Sequence, residues 1–195
     1  MILTLPQLNR ATLDVQGELY EHGFWGEGTR LTRTEVFWCA FPLITSPVAS
    51  GLFYHSTGKL DALWGFQAGH IYIPKWSLSR LPWRKGDSIR DILRHEYFHS
   101  ISHHYRMLIQ RSSRFRKVFG GDYNDSDHPR AGKEGEFVSQ YAQTDPAEDI
   151  AEVGMLFLKH KGKLPTRFNT PAIKKKWQFV RDLGERVGAG HYSWQ

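Results

Sequence analysis

The sequence predicts an α+β protein in which a small mixed sheet packs on one long helix and a helical C-terminal lobe follows. Three observations predict this. Short apolar runs bounded by turn residues fall between residues 36 and 74, a long helical pattern opens at Ser88, and two further helix starts, Asp145-Pro146 and Thr170-Pro171, come after it. The 195 residues suffice for one domain with its own core. No repeat, low-complexity tract or linker divides them, so the expected organisation is a sheet lobe over about 1–86, the long helix over about 87–110 and the helical lobe over about 111–195.

In chain order, a first helix is expected around Leu8 to Tyr20, before a loop holding Gly23, Gly26 and Gly28. Val36 to Phe41 is continuously apolar and predicts a strand buried on both faces. Leu52 to Ser56 predicts a second strand, with Thr57-Gly58-Lys59 as a turn; no glycine-rich loop precedes Lys59, which excludes a phosphate-binding loop. Ile71 and Ile73 alternate with His70 and Tyr72 in a third strand, and Pro74, which lacks an N–H, places that strand at or near a sheet edge. After a loop with Pro82 and Trp83, Ser88-Ile-Arg-Asp91 resembles a capping box and starts the long helix, expected to reach about Gln110. The basic residues that follow, Arg111, Arg114, Arg116 and Lys117, suit a solvated helix end better than a nucleic-acid face. Residues 120–135 predict a loop, whose Asp122, Asp125 and Asp127 fail the calcium-loop spacing of an EF-hand. Asp145 as N-cap with Pro146 at the first helical position starts a helix to about Lys159, and Thr170-Pro171 starts another that stops near Gly188.

The chemistry concentrates in the long helix. His95 and His99 stand one turn apart on one face with Glu96 beside them, so two imidazoles can share a metal ion while a carboxylate takes a proton from water on it. Cys39 is the single cysteine, so no intramolecular disulfide forms, a reducing compartment is favoured, and any metal must be held by histidine and carboxylate. The extended pattern with glycine at 102 and histidine at 105 is absent, since these positions are Ser102 and Tyr105. His103 lies two turns beyond His95, too far along the helix to complete a site with both histidines. A third ligand must come from elsewhere, and Glu148 and Glu152, one turn apart on a later helix, are the acidic pair suited to it. From the residues alone either glutamate can ligate, or Glu148 can close a capping box with Asp145. Tyr141 can equally be a packing residue.

The HExxH pattern His95-Glu96-Tyr97-Phe98-His99, taken with Tyr141-Ala-Gln-Thr-Asp-Pro-Ala-Glu148-Asp-Ile-Ala-Glu152, resembles the gluzincin metallopeptidases. In particular it resembles the anthrax lethal factor-like catalytic domains, and it is also similar to bacterial zinc-binding metallopeptidases. The likeness covers roughly residues 69–160. It implies a zincin-like fold, one Zn2+ held by His95, His99 and Glu148, and Glu96 as general base. It further implies Glu152 as acceptor for a ligand histidine's free ring nitrogen, Tyr141 as donor to the oxyanion, and the strand of Ile71, Tyr72 and Ile73 as the edge that pairs with substrate. The implied reaction is peptide-bond hydrolysis in a peptide or protein.

Composition bounds the partners and the compartment. The formal charge of +6 permits an anionic partner without requiring one, which leaves a metal-stabilised basic module, binding nucleic acid or an acidic partner, as the alternative to an enzyme. A structural metal site needs no general base, so Glu96 favours the enzyme. The start, Met1-Ile-Leu-Thr-Leu-Pro6, has neither a basic segment nor a long apolar run, and no stretch approaches eighteen apolar residues; a cytoplasmic protein without a membrane span is expected.

Overall fold

The structure, a computed structural model, describes residues 2–39, 51–54, 66–76, 88–125, 130, 132 and 135–194. The expected turn at 57–59, the loop with Pro82 and Trp83, and Asp127 lie outside them. Helix α1 (Leu5–Glu21) begins three residues earlier than expected, because Thr4 and Gln7 form a capping box: the Thr4 N–H donates to Gln7 Oε1 at 3.0 Å. Its buried Leu8, Ala11, Val15 and Leu19 recur at helical spacing and face the interior.

Strands β1 (Val36–Cys39), β2 (Leu52–Tyr54) and β3 (His70–Pro74) form a three-stranded mixed sheet in the order β1-β3-β2. β1 runs parallel to β3, and β2 antiparallel to it. This corrects the expectation for Ile71, Tyr72 and Ile73. β3 is the central strand, flanked on both sides, with Ile71 and Ile73 wholly buried and Tyr72 nearly so. The N–H groups of Ile71 and Lys75 donate to Glu35 and Cys39 on the β1 side, whereas described β2 pairing ends at Leu52–Tyr72. The donor that Pro74 lacks therefore interrupts no described pairing. β1 is correspondingly half-buried along its length rather than buried on both faces, as suits an edge strand.

Helix α2 (Ile89–His104) is capped by Ser88, whose hydroxyl accepts from the Asp91 N–H at 3.2 Å. It is buried nearly all round, not on one face, because α1, β2, β3 and the later helix that opens at Pro146 all pack on it. Its polar groups are accordingly paired: Arg94 bridges Glu18 of α1 and Asp91, and Asp91 also takes Lys159 at 2.7 Å. The helix ends at His104, short of the expected Gln110. A turn buries Tyr105, Leu108 and Ile109, and Ser112 caps a separate short helix α3 (Ser113–Phe119), which carries Arg114, Arg116 and Lys117 of the basic stretch, with Arg111 just before it. Two of those arginines face carboxylates, Arg114 toward Asp182 and Arg116 toward Asp122.

Helix α4 (Pro146–Lys159) and helix α5 (Pro171–Gly188) start at their expected caps, Asp145 and Thr170. Asp149, without an expected role, is wholly buried and takes Lys176 of α5 at 2.7 Å and Arg130 at 2.9 Å. Arg130 also donates to the Ala142 carbonyl at 2.6 Å, which fastens the segment before α4 to the helical lobe. No described helix is long and apolar enough to cross a membrane.

The crossing of α2 and α4 depends on Gly154, where an added Cβ would stand 2.4 Å from the Phe98 ring. Gly154→Ala would gain about 1 kcal/mol of helix propensity, but overpacking a tight core contact costs about 1–3 kcal/mol. With an aromatic ring rather than a flexible chain in the way, the clash wins. We expect a net loss of about 1–2 kcal/mol, read as a lower midpoint in urea unfolding; an unchanged or higher midpoint would show that the crossing has slack.

Candidate metal centre

α2 presents His95 and His99 one turn apart, and α4 brings Glu148 over them from its first turn. Asp145 caps α4 by accepting the Glu148 N–H at 2.8 Å, so the Glu148 backbone serves the cap while its carboxylate is left to the histidines. Glu148 Oε2 lies 3.0 Å from His95 Nε2 and 3.4 Å from His99 Nε2, and the two imidazole nitrogens are 3.1 Å apart. Ligand atoms about 2.0–2.1 Å from a tetrahedral ion are about 3.3 Å from each other, so the triangle has the size of one face of such a polyhedron.

The donor chemistry fits a cation as well. His95 Nδ1 meets Glu152 Oε1 at 2.9 Å; with its proton donated there, Nε2 keeps the lone pair that faces Glu148. His99 Nδ1 lies 3.3 Å from the Tyr123 hydroxyl. Tyr123 also meets Ser102, whose hydroxyl donates to the Phe98 carbonyl at 2.9 Å. Two lone pairs and a carboxylate oxygen thus converge in a half-buried cleft, and Glu148 Oε2 is buried without a geometrically sound hydrogen bond. Only positive charge between them, a proton or a metal ion, relieves the repulsion. His95, His99 and Glu148 form the one candidate metal cluster among the described residues.

The electrostatics agree. Burial acts to lower the His95 pKa, but the Glu148 and Glu152 carboxylates beside it and the charge of Glu96 outweigh it and raise it to about 10. For Glu148 burial acts upward, and His95 and His99 outweigh it, holding the carboxyl well below the usual range. Burial, reinforced by the charge of Glu148, raises the Tyr141 phenol. The metal-free protein therefore carries a proton on His95 at neutral pH, and a metal must displace it. We expect about one proton released per metal bound at pH 7.5, and weaker metal binding as pH falls. Calorimetric titration in two buffers of different ionisation enthalpy checks this, and equal apparent enthalpies in both would refute it.

The remaining residues line a cleft of about 660 Å³ around the triad. Glu96 is buried, and its Oε2 accepts the Phe53 N–H of β2 at 2.7 Å. Tyr141, on a 3-10 turn (Tyr141–Gln143), is half-exposed beside His95, with ring centroids 5.7 Å apart. Glu152 stands outside the triangle, and its second oxygen accepts from the Ser139 hydroxyl at 2.8 Å. Of the residues singled out in the sequence, Glu96, Tyr141, His95, His99, Glu148 and Glu152 come together here. Ile71, Tyr72 and Ile73 do not line the cleft; Gly51, Leu52 and Phe53 of the β2 segment do. Tyr123 and Ser139 were not foreseen, because each sits in a segment without periodicity and only the tertiary fold aims it at a ligand side chain.

Comparison with family models, with curated proteins and with solved structures gives no match for this chain.

Proposed function

We propose that this chain is a zinc-dependent metalloendopeptidase with a zincin-like fold of the gluzincin kind, hydrolysing peptide bonds in peptide or protein substrates. The observation that carries the reading is the convergence of His95 Nε2, His99 Nε2 and Glu148 Oε2 within 3.0–3.4 Å of one another, one residue from the carboxylate of Glu96. Zinc held there would polarise the scissile carbonyl and bring the pKa of a water toward neutrality. Glu96 would take a proton from the attacking water and pass it to the departing amine, so that the C–N bond breaks as the new N–H forms. The Tyr141 hydroxyl, kept protonated by its raised pKa, would donate to the oxygen that becomes negative. Glu152 and Tyr123 would hold the imidazoles in the tautomer that offers Nε2, and Ser139 would hold Glu152.

With β3 in the centre of the sheet, β2 is the strand on the cleft side, so an extended substrate would lie along the segment of Gly51, Leu52 and Phe53. The single Cys39, unable to form an internal disulfide, supports a reducing compartment such as the cytoplasm.

The test is metal analysis of the purified protein together with cleavage of an unstructured protein such as casein. We expect about one zinc per chain, cleavage that a chelator abolishes, and recovery on adding zinc. Cleavage that survives chelation would overturn the reading. Bound metal without any cleavage would leave a metal-stabilised basic module.

A further inference from the structure

We propose that the cleft carries, at the end where α2 gives way to its following turn, a subsite built from Arg106 and Arg30 that selects substrates bearing an acidic side chain. This rests on the metallopeptidase reading for the identity of the ligand as a peptide.

A second pocket of about 340 Å³ adjoins the metal cleft, and His103 and Arg106 line both. Its other lining includes Arg30, His104 and Tyr192, with no carboxylate among the described residues. The two arginines differ from others in the chain. Arg90, Arg94, Arg114, Arg116 and Arg130 each face a carboxylate; Arg106 and Arg30 are among the arginines that form no ion pair among the described residues, and of those they are the two that line the pocket. Both are nevertheless held in place. Arg30 lies over the Tyr192 ring at 4.2 Å and donates its backbone N–H to the Tyr105 hydroxyl at 2.9 Å. Tyr105 and Tyr192 stack with centroids 5.8 Å apart. Arg106 Nε donates to the His103 carbonyl at 3.2 Å, and its Nη2 lies 3.2 Å from His103 Nδ1, so that of its five N–H groups the two on Nη1 and the second on Nη2 are left for a ligand. The positive field is felt locally: His104 is pushed down to about 4, by burial first and then by His103, Arg30, Arg33 and Arg106.

The position argues for a peptide over a nucleic acid. The His103 ring packs on Phe53 of β2 with centroids 5.5 Å apart, so a chain lying along β2 past the triad meets His103 and then Arg106. At the triad the lining turns acidic, with Glu96, Asp145 and Glu148. A bound metal would offset most of that negative charge, so extent decides: two guanidiniums at one end of the cleft match the single carboxylate of a peptide side chain, whereas a run of phosphates needs basic residues along its whole path. A fixed guanidinium suits that carboxylate, which it can bind in a two-point contact.

The experiment measures binding to the zinc-loaded Glu96→Gln protein by fluorescence polarisation. The probes are peptides blocked at both ends and identical but for Glu, Gln or Lys at two positions, with a single-stranded oligonucleotide as a further probe. At low ionic strength the Glu peptide should bind about tenfold more tightly than the Gln peptide, and salt should narrow the gap. The double variant Arg30→Glu, Arg106→Glu should reverse the order in favour of the Lys peptide, its metal content and thermal unfolding confirming that it folds. Equal binding of the Glu and Gln peptides, or a Glu preference that survives the charge reversal, would overturn the subsite. So would an oligonucleotide that binds more tightly than the Glu peptide and is the probe lost on reversal. Because binding is read without hydrolysis, an acidic preference in a protein whose parent cleaves nothing would refute the metallopeptidase reading and keep the subsite; cleavage without preference would do the converse.

Discussion

Glu96→Gln should lower peptide hydrolysis by about 10²–10⁴-fold while metal content stays at the parent level. The substitution is nearly isosteric, and the amide oxygen of glutamine can still accept the Phe53 N–H that Glu96 Oε2 accepts at 2.7 Å. What disappears is the capacity to take a proton from water and return it to the amine. A loss of that size corresponds to about 3–5 kcal/mol of barrier, well above the roughly 1 kcal/mol that one neutral hydrogen bond to a backbone contributes. Steady-state kinetics on a fluorogenic peptide, with zinc stoichiometry and thermal unfolding on the same preparations, separates the two roles. Retained metal and fold with lost turnover marks Glu96 as the base. Retained turnover would confine Glu96 to fastening β2 against α2, and lost metal would make it part of the ligand set.

What was legible in the sequence is what short-range chemistry fixes. Ser88, Asp145 and Thr170 each accept an N–H three residues on, a contact settled within one turn, and the helices they start begin where expected. The shared face of His95 and His99 follows from helical spacing alone. The choice between Glu148 and Glu152 did not, because both lie on one face of α4. It is the approach of α4 to α2, set by Gly154 against Phe98, that puts Glu148 beside two Nε2 atoms and Glu152 beside Nδ1. Pro74 marks no edge for a related reason: a missing N–H does so only where a partner strand would have used it, and sequence does not reveal that the described pairing of β2 ends at Leu52–Tyr72. The end of α2 was misjudged because Tyr105, Leu108 and Ile109 continue an apolar pattern through a turn. Arg106, Tyr123 and Ser139 gave no signal, since nothing local distinguishes an arginine or tyrosine that will face a cleft.

Glu148→Ala should weaken metal binding by more than about 100-fold, beyond the 10–100-fold that removal of an outer hydrogen-bond partner costs. The variant leaves two imidazole nitrogens 3.1 Å apart and no anionic ligand, so charge and coordination number fall together. The change to α4 itself is small, since Asp145 accepts the backbone N–H of residue 148 whatever the side chain, and an acidic group in the first helical turn contributes only about 0.3–1 kcal/mol. Glu152→Ala is the paired control. It frees His95 Nδ1 and the Ser139 hydroxyl but leaves all three ligand atoms in place, so its loss should stay within the outer-partner range. Competition of each variant against a chromophoric zinc chelator gives both affinities on one scale. A larger loss for Glu152→Ala than for Glu148→Ala would exchange the roles of the two glutamates. Equal and small losses would mean that the three atoms gathered at the head of α4 hold a proton and nothing more.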